Sequence, residues 1–551
     1  MSENPQPEIL NPKSELSRAV RATSLVTLGS RFGGLIRDVV IGRIFPVGYI
    51  SSAFQAAFAI PNMFRRLFGE GALSAAFIPE YSDAARASRQ DADRLASLTI
   101  TALGLITTAL TVLIEAVLLL VLLLKPRADD DLAYLKFALS IKLIMVMIPF
   151  MPLICTVAIQ AGMLQVHGRY GRAASGPIIL NTFVVATGAY FMLTHQFAGQ
   201  SLAYILGAAT VLSGLTQCLW FASLLRRHFS FTRAWSAARP RARSMLRKFI
   251  PVAVGLGTLQ LNTFLDTLIA MWPIWIGPTM LGLTYPLDES SNVLLALTAR
   301  LYQFPLGVFG IAIASAAFPL LARHAREPDH FTETLRRAVR LSLYVGFPAT
   351  LGLILLRTEA VSLLYGHGHT GWSEPSIRRA SHILGAFSTG IWAYSLNQVF
   401  TRTFYAQGDT ATPMKVSLLM IVLNVALNLS LIWIPNVREA GLAWSTAISA
   451  ILQSIILGTL CARMLRRLGA HHRVLDHHAR VAIAKSLLAT ALMGAAVWLL
   501  LRLYPSPPTW AMQLVRTLLA IGLGGIVYLA LSQALRLAEL KWLLHRHHST
   551  P

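Results

Sequence analysis

The chain has 551 residues, of which 55% are hydrophobic and only 13% charged, and its formal net charge is +23. A soluble globular domain carries about a quarter charged residues, so this composition excludes an ordinary soluble protein. Mean hydropathy is +0.57, and the basic excess raises two readings, nucleic acid or a membrane surface.

Several apolar runs are long enough to cross the hydrocarbon core, which takes about 20 helical residues. They include 103–124, 202–224, 414–434 and 517–533. None alternates as a barrel strand would, so the fold class predicted is all-α, a polytopic membrane protein. The polar N-terminal stretch lacks a short apolar segment with a small-residue cleavage site, so no removable signal is expected. Cys155, Cys218 and Cys461 lie far apart in apolar runs and read as buried small hydrophobes.

In chain order, helices are predicted near 22–45, 52–83, 98–124, 134–160, 176–194, 202–224, 247–273, 291–321, 341–357, 380–406, 412–434, 439–462, 482–503 and 512–535. These are spans 1 to 14, about fourteen transmembrane helices. The distribution of charge decides between the two readings of the basic excess. Residues 225–248 carry eight Lys and Arg with no acid, whereas 195–201, 273–291 and 505–510 carry no Lys or Arg. Basic connections alternating with uncharged ones are the positive-inside pattern, so the charge reports topology and implies no nucleic acid. Both termini are placed in the cytoplasm, and the basic loops meet anionic membrane lipids there.

An internal echo divides the chain. Gly69 opens "GEGALSAAFIPEY" in span 2 and Gly310 opens "GIAIASAAFPLLA" in span 8. Pro177 starts span 5 and Pro413 starts span 11. Both offsets are about 240 residues, so spans 1–6 are expected to repeat as spans 7–12, with spans 13 and 14 appended. The domains expected are a cytoplasmic tail 1–21, an N-lobe 22–228, a basic linker 229–246, a C-lobe 247–465, and 466–551 holding the last two spans and a basic tail. Parallel repeats of this kind are a transporter signature, with a central cavity between the halves.

Charge inside the spans marks the candidate site. Span 1 carries Arg31, Arg37 and Asp38 beside Gly33 and Gly34; span 2 carries Arg65, Arg66 and Glu70 after Pro61; span 8 carries Arg300. An arginine at a helix centre costs roughly 2.5–3.5 kcal/mol by insertion scales, so these residues are expected to line a protein interior or wet cavity. An excess of arginine calls for an anion, and the guanidinium fork suits phosphate. The competing reading is internal pairing of Arg37 with Asp38 or Glu70. Gly33–Gly34 is expected to act as a hinge.

A second polar group joins Asp266 in span 7 to Asn424 and Asn428, four residues apart in span 11, and to Ser445 and Thr446 in span 12. One carboxylate among neutral oxygens suits a hard monovalent cation; the alternative is a hydrogen-bond network between helices. Glu115 has no evident partner. The histidines of 469–480 and 543–550 read as solvated basic surface, and those of 366–372 as turn residues.

The stretches "SRFGGLIRDVVIGRIF", "AFAIPNMFRRLFGEGALSAAFIPEY" and "ARLYQFPLGVFGIAIASAAFPLLA" resemble the MurJ (MviN) family of lipid II flippases, within the multidrug/oligosaccharidyl-lipid/polysaccharide exporter superfamily. The resemblance covers essentially the whole chain. It implies transport of lipid II, an undecaprenyl-pyrophosphate peptidoglycan precursor, across the cytoplasmic membrane, with the pyrophosphate held by Arg31, Arg37, Arg65, Arg66 and Arg300. Asp38 corresponds to the acid that follows the second arginine. The resemblance also implies a sodium site at Asp266, Asn424, Asn428 and Thr446. It departs at Ser52 and Ala299, where the family often has polar or acidic residues. Alternatives are another polyprenyl-pyrophosphate oligosaccharide or a cation-coupled drug exporter. No enzymatic constellation is present in the sequence, and it names no protein partner.

Overall fold

A computed structural model of the chain describes residues 12–67, 73–126, 132–194, 199–367, 371–469, 474–505 and 509–544. The chain forms two compact units, one of residues 1–45 and 49–264, the other of residues 46–48 and 265–551.

The first unit contains α1 (Pro12–Ile44), α2 (Tyr49–Leu67), α3 (Leu73–Ala87), α4 (Arg89–Leu124), α5 (Leu132–Met147), α6 (Phe150–Val166), the single turn α7 (Tyr170–Ala173), α8 (Gly176–Thr194) and α9 (Gln200–Leu225). The helix α10 (Arg239–Trp275) follows, and the division between units falls within it. The second unit continues with a hairpin of two-residue strands, β1 (Thr279–Met280) and β2 (Leu283–Thr284). Then come α11 (Ser291–Pro305), α12 (Ile311–Arg323), α13 (Pro328–Leu355), α14 (Arg357–Tyr365), α15 (Glu374–Ser388), α16 (Ile391–Ala406), α17 (Ala411–Leu431), α18 (Ala440–Arg467), α19 (His477–Leu503), α20 (Trp510–Ala534) and α21 (Ala538–Leu544).

Every predicted span is predominantly helical over its described residues. Ten of the described helices, counting α5–α6 and α11–α12 as continuous, are long and apolar enough to cross a bilayer. Several run further than the hydropathy indicates. α1 starts at Pro12, inside the stretch read as a tail, and α10 at Arg239, inside the stretch read as a linker. Charged, non-apolar turns extend these helices without changing the apolar window, so hydropathy alone misses them. α4 is started by Ser88, whose hydroxyl accepts from the Asp91 amide at 3.0 Å, with an acid in the first turn.

The breaks repeat. Span 2 holds α2 and α3 on either side of residues 68–72, which lie outside the described residues, and span 8 is α11 and α12 joined by a π-helical turn, Leu306–Gly310. Pro305 has no N–H to donate, and the wider turn absorbs the lost hydrogen bond. Span 4 breaks before Pro149, and span 10 breaks at Gly390. A Cβ on Gly390 would lie 2.9 Å from the Tyr394 ring and 3.2 Å from the Ala447 Cα, so the close packing there requires glycine. The packing repeats too. In the first unit α3 packs on α4 and α6, α2 on α5, α4 on α6, and α6 and α8 on α9. In the second, α12 packs on α13 and α16, α11 on α15, α13 on α16, and α16 and α17 on α18. α19 and α20 pack on each other and α19 on α13, and the Tyr344 hydroxyl of α13 donates to Ser532 of α20 at 2.9 Å.

Two polar clusters brace these units, and each carries a prediction. In the second unit Arg379 forks onto Asp288 at 2.8 and 2.9 Å, and its Nε reaches Glu439 at 2.5 Å. Glu439 is buried. Arg379→Met should therefore lower unfolding stability by about 3 kcal/mol, because it strands a buried carboxylate. Denaturant or thermal unfolding of the purified protein checks this; a change under about 0.5 kcal/mol, as for an ordinary surface site, would refute it.

In the first unit the rings of His167 and His228 stack with centroids 4.6 Å apart, and His167 Nε2 lies 3.2 Å from the Tyr81 hydroxyl. Burial, then the neighbouring ring and cations such as Arg169 and Arg89, hold His167 below the ordinary histidine value; burial and the same arginines lower His228. Both rings thus take up protons less readily when folded than when unfolded. Their stabilisation is full above the ordinary value, about pH 6.5, and is lost as pH falls below it. Melting temperature should drop more steeply between about pH 7.5 and 5.5 in the wild type than in a His167→Gln His228→Gln variant. Parallel curves would contradict the prediction.

Candidate functional site

In the first unit α1 packs against α8. That contact buries Arg37 and Asp38, which are 9% and 5% exposed. The Arg37 Nε and one terminal nitrogen donate to the same Asp38 oxygen at 3.0 and 2.8 Å. The other terminal nitrogen donates to Asn181 Oδ1 at 3.2 Å. The guanidinium also lies 5.0 Å from the centroid of the Phe58 ring, within cation–π range. A charged pair inside a spanning segment is tolerated because each member supplies the other's counter-charge.

Asn181 was not among the residues singled out from sequence. It is a lone amide in an apolar span, and that isolation was the available signal. Its Nδ2 donates to the Ser30 carbonyl at 3.1 Å. α1 runs unbroken through Gly33 and Gly34, the pair expected to act as a hinge. Gly33 also makes room for a contact: a Cβ there would sit 3.2 Å from Asn181 Nδ2. The missing side chain lets the amide settle against the helix.

Arg31 is half-buried and makes no hydrogen bond or ion pair among the described residues. Arg65 and Arg66 end α2, where their charge suits the helix C-terminus. Arg65 Nε donates to the buried Asn62 at 2.8 Å. Glu70, predicted beside them, lies outside the described residues, as does the Gly69–Gly71 stretch. Ser52 is fully buried. In the second unit Arg300 is half-buried on α11 after Ala299. Two residues on, Tyr302 stacks with Phe387 at 4.6 Å and with Tyr394 at 5.5 Å.

The second unit also brings together the other predicted group. Asn428 Nδ2 donates to Asp266 at 2.6 Å and to Asn424 Oδ1 at 3.0 Å. Asn424 Nδ2 lies 3.4 Å from both Ser445 Oγ and Thr446 Oγ1, and the Ser445 hydroxyl contacts Asn428 Oδ1. Asn424, Asn428 and Ser445 are buried. The cluster spans α10, α17 and α18. Its donor set is one carboxylate with amide and hydroxyl oxygens, the hard ligands that fit a sodium ion. Among the described residues no group of three or more His, Cys, Asp or Glu could hold a metal. Glu115 on α4 is half-buried, and nothing in the structure explains it. His367 contacts Gln513 at 2.8 Å, and His477 and His478 pair edge to face. His369, His471, His472 and the histidines after Leu544 lie outside the described residues.

The family profile described as "Lipid II flippase MurJ" matches residues 41–519. A "Probable lipid II flippase MurJ" of Haemophilus influenzae is 30% identical over 495 residues, covering 86% of this chain and 90% of that protein. Among solved structures, "Lipid II flippase MurJ, inward closed conformation" superposes with a TM-score of 0.72 at 21% identity, over 95% of this chain and 99% of that one. An inward-facing MATE family multidrug resistance transporter of the MOP superfamily superposes with a TM-score of 0.62 at 15% identity, over 81% and 98%. The chain belongs to the MurJ lipid II flippase family.

Proposed function

We propose that this protein moves lipid II from the inner to the outer leaflet of the cytoplasmic membrane by alternating access, supplying peptidoglycan synthesis. Both termini are on the cytoplasmic side. The pyrophosphate is held by arginines of the first unit, Arg37 with Arg31, Arg65 and Arg66; Arg300, in the second unit, is proposed as a further anion-binding arginine. Asp38 and Glu70 balance part of that charge. The observation that carries this reading is Arg37, a residue 9% exposed within the helix α1, which is proposed to span the membrane. Holding it there costs free energy that a lipid-facing helix has no reason to spend. An arginine-bearing site also speaks against cationic drugs as cargo, since like charges repel.

Asp266, Asn424, Asn428 and Thr446 are proposed to hold sodium, whose gradient would bias the transport cycle. When bound, the ion supplies a positive charge to the Asp266 carboxylate. The chain's own part is to orient the Asn424 and Asn428 amides and the Ser445 and Thr446 hydroxyls around it.

The test is depletion of the protein from its native cell, followed by extraction of lipid-linked precursors. Lipid II should accumulate on the inner leaflet. Accumulation of a different undecaprenyl-pyrophosphate glycan would replace lipid II as the cargo. In the same strain Arg300→Ala, at normal expression, should fail to restore growth; full restoration would remove Arg300 from the site.

A further inference from the structure

We infer that Asn181 is a positioning residue for the anion site: it fixes the Arg37 guanidinium so that two of its N–H groups remain for a pyrophosphate. The inference rests on the lipid II reading above. Asn181 is 6% exposed on α8, and both ends of its amide are committed. Arginine can only donate and a backbone carbonyl can only accept, so the partners fix which end is which. Oδ1 takes the Arg37 proton, and Nδ2 bonds the Ser30 carbonyl. The amide is therefore pinned to α1 about two turns before the arginine that it holds.

The arithmetic of the guanidinium gives this its consequence. Arginine has five N–H groups. One on Nε and one on a terminal nitrogen go to Asp38, and one on the other terminal nitrogen goes to Asn181. One N–H on each terminal nitrogen remains. Each of these two donors can bond a phosphate oxygen. Both contacts to Asp38 converge on one oxygen, about which the planar group as a whole could still pivot. Asn181 holds the second terminal nitrogen, so less freedom is lost when the anion binds. Gly33 belongs to the same device, since a Cβ at 3.2 Å would push the amide off its seat.

The experiment measures binding of undecaprenyl pyrophosphate to purified full-length protein, with melting temperature recorded alongside. Asn181→Ala should weaken binding about tenfold, the worth of one hydrogen bond to a charged group, while melting changes little. Gly33→Ala should weaken binding in the same direction; it removes no polar group and improves helix propensity, so it guards against a folding artefact. In an Arg37→Met Asp38→Asn background, Asn181→Ala should change nothing further. Equal affinity of wild type and Asn181→Ala would overturn the inference and leave the function standing. So would an equal loss in both backgrounds, which marks a role independent of Arg37. A wild type with no affinity for the lipid would instead overturn the functional reading itself.

Discussion

An Arg37→Ala variant is expected to lose function and also to melt lower. From sequence alone one would expect loss of function in an intact fold, because a cavity arginine has only its ligand to lose. The structure changes that expectation. Arg37 and Asp38 are both buried, and the arginine gives two hydrogen bonds to one carboxylate oxygen. Removing one member of a buried pair costs about 3–5 kcal/mol, whereas replacing both by neutral groups of similar shape is often close to neutral. A growth defect in Arg37→Ala therefore has two sources. Arg37→Met Asp38→Asn separates them: its melting temperature should return towards the wild-type value while growth of a depleted strain stays unrescued. If that double variant supports growth, the pair only pins α1 to its neighbours and anion binding lies elsewhere. Arg37→Lys should rescue in part at most, since an ammonium keeps the charge but lacks the planar fork.

The sequence was most informative where the signal is local. Hydropathy located the apolar helices, ten of which are long and apolar enough to cross a bilayer, because an apolar window needs no knowledge of neighbouring helices. Asn424 and Asn428 were found by their four-residue spacing, which places both on one face wherever the helix packs. Asn181 escaped because its importance comes entirely from α1, more than a hundred residues away in sequence. The packing role of Gly33 escaped for the same reason. A glycine pair in a helix signals either bending or close approach, and only the partner's position decides between them; here Asn181 Nδ2 stands 3.2 Å from the absent Cβ. The extended starts of α1 and α10 were missed because charged turns carry no apolar signature.

Sodium should raise the melting temperature of the wild-type protein, and Asp266→Asn should abolish that rise. The carboxylate lies at the end of a chain of amides and hydroxyls, with Asn428 at 2.6 Å and Asn424 and Ser445 behind it. Every group in that chain except Asp266 is neutral, so Asp266 supplies the charge on which a monovalent cation depends. A ligand that binds only the folded state stabilises it by mass action, by about 2.7 kcal/mol at a hundredfold excess over its Kd. The comparison is sodium chloride against potassium or choline chloride at equal ionic strength, which removes general screening. The expected result is a sodium-specific rise that saturates in the wild type and a flat response in Asp266→Asn. Asn428→Ala should shift the saturation point upward and leave a rise in place, because it removes one neutral oxygen and not the charge. Identical melting in all three salts for the wild type would mean that the cluster is hydrogen-bond glue between α10, α17 and α18. Those bonds are worth about 0.6 kcal/mol each on average inside a membrane. Asp266→Asn would then cost little stability and leave transport intact, an outcome incompatible with ion coupling at this site.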